Sequence, residues 1–181
     1  MSTVEELQTL LNGDGAVLMP SRSKDEVWPR LWVSEAGPAK DPAGLKESGF
    51  THVLNCSQGT GFGRLNTDDS FYSQHGLSFH GLSVADSARS NLMVFFEEAC
   101  AFIHDSMSRD DGVVLVHCME GFSRSPSIAA AYLIKHHNMT AAEALTHIRA
   151  KREVFPNEGF LKQLLQWQET IQQASSEKDS A

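Results

Sequence analysis

Cysteine is scarce in this chain: Cys56, Cys100 and Cys118 are the only three. An odd number without framework spacing excludes a disulfide-stapled scaffold. It implies a reduced, intracellular setting in which a thiol is free for chemistry. Basic residues are outnumbered, 15 Lys and Arg against 23 Asp and Glu, for a net charge of −8. That balance excludes the broad cationic face that nucleic acid or an acidic membrane surface would require, so any anion site must be local. No apolar run approaches the roughly 18 residues of a membrane span. The opening "MSTVEELQTLLNG" is acidic and amphipathic. It therefore does not read as a signal peptide, and Ser2 in place of glycine excludes myristoylation. The expected location is the cytoplasm, with the nucleus as a second compartment.

What is present describes one globular core. The 181 residues are 41% apolar and 21% charged, which suits a single domain. "RLWVS", "THVLNC", "LSFHGLSV" and "GVVLVHC" are short β-branched or aliphatic runs and read as strands. Between them lie helices. Ser2 and Glu5 offer a capping box for the first, residues 41–48 form a short second, and Asn91 caps "NLMVFFEEACAFIHDSM". Pro126 occupies a first-turn position in "SIAAAYLIKHH", Thr140 and Glu143 repeat the capping box, and "NEGFLKQLLQWQETIQQ" forms a terminal helix. Strands alternating with helices predict an α/β domain with a central mixed, mostly parallel sheet flanked by helices. The expected boundaries are 1–22 for an N-terminal helix and lead-in, 23–173 for the main domain, and 174–181 for a polar, flexible tail.

The chemistry concentrates in "VLVHCMEGFSRSPS", residues 114–127. A strand ends in Cys118, a loop with one glycine follows, and Arg124 stands at the mouth of a helix. Unpaired backbone N–H groups and the positive helix dipole make such a loop an anion site. Arg124 adds a planar fork of donors suited to two phosphate oxygens. The same field favours a thiolate at Cys118, and Ser125 can donate to that sulfur. A thiolate facing a bound phosphate, with cationic support for the transferring oxygens, describes phosphoryl transfer to cysteine. A leaving alkoxide or phenolate also needs a proton from a general acid.

"HCMEGFSRS" resembles the signature loop of the cysteine-dependent protein tyrosine phosphatases in their dual-specificity form. "THVLNC", "NTDDSFY", "SRSPSIAAAYL" and "KREVFPNEGFL" extend the resemblance along nearly the whole chain, towards the small vaccinia-related phosphatase VHR. The resemblance implies a protein tyrosine phosphatase-like fold and hydrolysis of phosphotyrosine and phosphoserine/phosphothreonine in proteins through a phosphocysteine, without metal or cofactor. It makes Cys118 the nucleophile, Arg124 the phosphate clamp and Ser125 the aid to loss of phosphate from sulfur. His117 supports the loop and the thiolate from behind. Met119, Glu120, Gly121, Phe122 and Ser123 would line the phosphate. The family's acid follows the strand upstream of the signature, where Asp86 lies 32 residues before Cys118. Asp105, Asp110 and Asp111 are poorer candidates, at a helix end or in the turn before the signature strand. Arg152 matches a position that can meet a second phosphate, Phe62 and Phe122 would wall the pocket, and Asn55 matches a residue bonded to the catalytic loop. Mitogen-activated protein kinases are the partners that the family suggests.

Two positions depart from that relative. Met119 replaces an arginine, which removes a positive charge at the mouth, and Gly63 replaces a bulkier apolar residue. A phosphoinositide phosphatase would want cations among the variable loop positions, where Met119, Glu120, Phe122 and Ser123 offer none. An RNA 5′-triphosphatase would want a basic surface. A non-catalytic phosphate-binding module typically lacks the cysteine, the arginine or the acid, and all three are here.

Overall fold

The computed structural model describes residues 2–13, 15 and 17–179. Its centre is a five-stranded sheet of β1 (Lys24–Trp28), β2 (Leu31–Ser34), β3 (His52–Asn55), β4 (Ser78–Gly81) and β5 (Val114–His117), ordered β1-β2-β5-β3-β4. Only the β1–β2 pair is antiparallel; β2–β5, β5–β3 and β3–β4 are parallel. β3 and β5 are buried at every position, as central parallel strands covered on both faces should be. Alternate side chains serve opposite faces. Leu54, Val114 and Val116 join the larger core, and Val53 and Leu115 the smaller.

The larger core is covered by α1 (Val4–Asn12), α5 (Phe96–Met107), α6 (Arg124–His137), α7 (Ala141–Arg149) and α8 (Glu158–Asp179). The smaller is closed by α2 (Ala36–Ala39), α3 (Pro42–Glu47) and α4 (Asp69–Ser73). α6 is buried from Arg124 through Ile134, packed against β5 and between α5, α7 and α8. A helix surrounded in this way holds its N-terminus in a fixed place, and that N-terminus is the signature loop.

Several local expectations shift. The first capping box is made by Thr3 and Glu6, one residue later than Ser2 and Glu5, because both pairs fit the pattern. Asn91 caps nothing; the N–H groups of Leu92 and Met93 donate instead to Gln163 Oε1 of α8, at 2.7 and 2.8 Å. β1 is an additional strand, and α2 and α4 are additional short helices. α8 continues to Asp179, so residues 174–179 are helical where a loose tail was expected. The segment lacks glycine and proline, so nothing in it breaks the helix. Ser180 and Ala181 lie outside the described residues.

Candidate active site

The site stands at the carboxyl ends of the parallel strands, where α/β sheets place their ligands. Ser34, His117 and Asn55 are in register across β2, β5 and β3, so residues 118–123 leave the sheet from one shared edge. Six consecutive carbonyls of this loop are then drawn outward. Cys118 O accepts from His117 Nδ1 (3.3 Å), Met119 O from Ala36 N (3.0 Å), and Glu120 O from Arg152 Nη2 (3.2 Å). Gly121 O accepts from Arg152 Nε (2.8 Å), Phe122 O from Phe155 N (2.8 Å) and Ser123 O from Ser127 N (3.2 Å). With the carbonyls held out, the intervening N–H groups turn inward. Among the described residues no acceptor meets the N–H groups of Met119 through Ser123. They form a nest for an anion.

Gly121 permits this bend. It sits at φ +62°, and a Cβ there would come within 2.6 Å of Arg152 Nη2 and of the Ser34 backbone.

Around the nest the reactive groups converge. Ser125 Oγ donates to Cys118 Sγ at 3.2 Å. Arg124 is buried, with Nη1 donating to Gly63 O (3.0 Å) and Val84 O (3.2 Å). Its Nε has no hydrogen-bond partner among the described residues and lies 3.6 Å from Asp86 Oδ2. One edge of the guanidinium is therefore anchored to backbone, and the other offers donors without acceptors. Asp86 Oδ1 accepts from Ser123 Oγ and from Asn157 Nδ2, each at 2.8 Å. His117 is fully buried, and burial is the main reason its ring titrates down at about 4. It is neutral and presents its Nδ1–H to Cys118 O.

Three expected residues lie elsewhere. Arg152 does not face a second phosphate. Its side chain is fully buried and bonds Gly121 O, Glu120 O, Arg22 O and Asp25 Oδ2, the last two at 2.8 Å. Asn55 does not bond the catalytic loop. Its Oδ1 accepts from Ser57 N and Oγ, and its Nδ2 reaches Gln58 Oε1, Leu65 O and Thr67 Oγ1. It thus braces the loop that carries Phe62. The Phe62 ring is fully exposed at 106%, and the ring beside Phe122 is instead Phe155, with centroids 6.4 Å apart and planes 21° apart.

Sequence reading also missed Asp25 and Asn157. Asn157 stands in "KREVFPNEGFL", quoted above, but only the fold brings it to Asp86, 71 residues away.

A buried thiol, a nest of amides and an arginine edge at the head of a central helix define a cysteine-dependent phosphoryl-transfer site. The family model of the dual specificity phosphatase catalytic domain matches residues 31–170. The chain belongs to that family and is a cysteine-based protein phosphatase. Crystal structures of similar proteins share its fold. Human DUSP28 is 26% identical over 83% of this chain and 96% of that one, with a TM-score of 0.70. A mouse protein described as a dual specificity phosphatase, complexed with zinc tungstate, is 25% identical over 90% and 97%, with a TM-score of 0.72. The human tyrosine phosphatase-like serine/threonine/tyrosine-interacting protein is 25% identical over 83% and 99%, with a TM-score of 0.68.

Proposed function

We propose that Cys118, Arg124, Asp86 and Ser125 carry the reaction in the roles that follow. The Cys118 thiolate attacks phosphorus. An S–P bond forms as the P–O bond to the substrate breaks, and Asp86 passes its proton to the leaving oxygen. Water then attacks the phosphocysteine, giving its proton to Asp86, while Ser125 donates to the departing sulfur. The nest and the Nε edge of Arg124 hold the equatorial oxygens throughout. The observation that carries this reading is the N–H run from Met119 to Ser123, unpaired among the described residues, beside a buried Arg124 Nε that also has no hydrogen-bond partner among them. Both await an oxyanion. Binding of tungstate, a tetrahedral oxyanion, by the similar mouse protein agrees with this.

The substrate is a phosphorylated protein, with phosphotyrosine preferred. Phe122 and Phe155 offer a half-buried aromatic wall to a phenyl ring, and Phe62 stands on a loop whose Gly63 carbonyl is bonded to Arg124. Exposed Glu120 and neutral Met119 disfavour substrates with several clustered phosphates. Activated mitogen-activated protein kinases are the first substrates to test, in cytoplasm and nucleus; no helix among the described residues is long and apolar enough to cross a membrane.

The test pairs turnover with trapping. Cys118→Ser should abolish hydrolysis of p-nitrophenyl phosphate, as removal of a nucleophile costs on the order of 10⁶ in one well-studied serine hydrolase, while still retaining phosphotyrosyl peptides. Retention of even a hundredth of wild-type activity would exclude the covalent route.

A further inference from the structure

We infer that Asn157, together with Ser123, determines which oxygen of Asp86 carries the proton; this rests on the reading of Asp86 as the general acid. A neutral carboxylic acid has one carbonyl oxygen, which accepts, and one hydroxyl oxygen, which donates. Asp86 Oδ1 receives two donors, Ser123 Oγ and Asn157 Nδ2, at 2.8 Å each. It is therefore the carbonyl oxygen. The proton belongs on Oδ2, the oxygen 3.6 Å from Arg124 Nε and so on the side of the phosphate. When Oδ2 gives its proton to the leaving oxygen, both bonds to Oδ1 persist and strengthen with the charge. When the attacking water yields a proton, it returns to the same oxygen. Asp86 never has to rotate.

The orientation of Asn157 is itself fixed. Its Oδ1 accepts from Phe160 N (3.1 Å), and its own N–H donates to Ser123 Oγ (3.2 Å). Only Nδ2 is left for Asp86.

The first turns of α8 hold the rest of the acid loop too. Gly159 is packed so closely on Ala88 that a Cβ would meet its carbonyl oxygen at 2.1 Å. Gln163 donates to Ser90 O at 2.8 Å and accepts from Leu92 and Met93. The acid is thus mounted on a rigid helix end rather than carried on a free loop. Asn157 is a positioning residue, acting on the reaction through Asp86.

Asn157→Ser tests this, because serine keeps a helix-capping acceptor but removes the amide donor. Rates would be measured on aryl phosphates ranging from phenyl to nitro-substituted phenyl leaving groups, in wild-type and Asp86→Asn backgrounds. The expected result is a kcat loss on the order of 10-fold with phenyl phosphate, little change with the nitro-substituted substrate, and no further loss once Asp86 is Asn. Thermal midpoint and orthovanadate affinity report whether the variant is folded with an intact phosphate site. If thermal midpoint or vanadate affinity falls substantially, Asn157→Asp, which also keeps the capping acceptor, takes the same measurements and the same criteria. Equal losses across leaving groups, a loss that persists in the Asp86→Asn background, or no loss at all would overturn the inference. An Asp86→Asn enzyme with undiminished phenyl phosphate turnover would instead remove Asp86 as the acid, and the role of Asn157 would fall with it.

Discussion

At the scale of single residues, the proposed mechanism divides the Arg124 guanidinium between two tasks. Nη1 is bound to the carbonyls of Gly63 and Val84, which leaves the Nε edge without a hydrogen-bond partner among the described residues. A lysine has one ammonium and no fork, so it can serve the carbonyls or the phosphate but not both. Arg124→Lys should lower kcat by about 10²–10³, the usual effect of losing one oxyanion donor, and should weaken vanadate binding as well. A variant that keeps vanadate affinity would show that the phosphate is held by the nest alone. Asp86→Asn makes the complementary prediction. The phosphate site stays whole and only the proton donor goes, so turnover of poor leaving groups should fall by about 10²–10⁴ with vanadate affinity unchanged. The alkaline limb of the rate profile, which requires a protonated acid, should flatten as well.

At the scale of elements, the pairing of Asp25 in β1 with Arg152 after α7 shapes the loop from behind. Arg152 links β1 to the carbonyls of Glu120 and Gly121, so a strand on the sheet edge controls where two loop amides point. Breaking a buried pair by removing one partner costs about 3–5 kcal/mol. Asp25→Ala should therefore lower stability on that scale in urea titration and weaken vanadate binding, although Asp25 is no part of the pocket. If Arg152 instead met a second phosphate, Asp25→Ala would spare vanadate and impair only doubly phosphorylated peptides. This pairing also marks the limit of what the sequence could show. β2 to β5 and the long helices were legible because their apolar periodicity is local, and the signature loop because its residues are contiguous. "KDEVW" does not read as a strand, since Lys, Asp and Glu disfavour one. Its inward Asp25 pairs locally with exposed Arg22 (2.7 Å), but its burial is matched by Arg152, 127 residues away. The Gln163 cap on Leu92 and Met93 and the Asn157 contact to Asp86 were hidden for the same reason: they are agreements between distant segments that leave no spacing to read.

At the scale of the whole molecule, the fold is sensitive to acid through its buried histidines. The fold requires His117 neutral, since its ring is fully buried against the loop and its titration is pushed down from 6.5 to about 4, mainly by burial. The unfolded chain therefore binds one more proton than the folded chain between those values, and stability falls as pH drops through the window. The His117 contribution is complete above about 6.5 and diminishes towards 4, a span of about 3 kcal/mol. His136 is also held at about 4, chiefly by burial against its surroundings, and it adds a smaller contribution because it is partly exposed. Urea unfolding at pH 7.5 and pH 5.0 should show the wild type losing stability at the lower pH. His117→Asn, which keeps a donor for Cys118 O but cannot titrate, should be less stable at pH 7.5 and should lose less on acidification. An equal loss in variant and wild type would place the acid sensitivity elsewhere. With the expected result, the acid limit of the fold is set by a buried histidine whose ring is bonded to the Cys118 carbonyl.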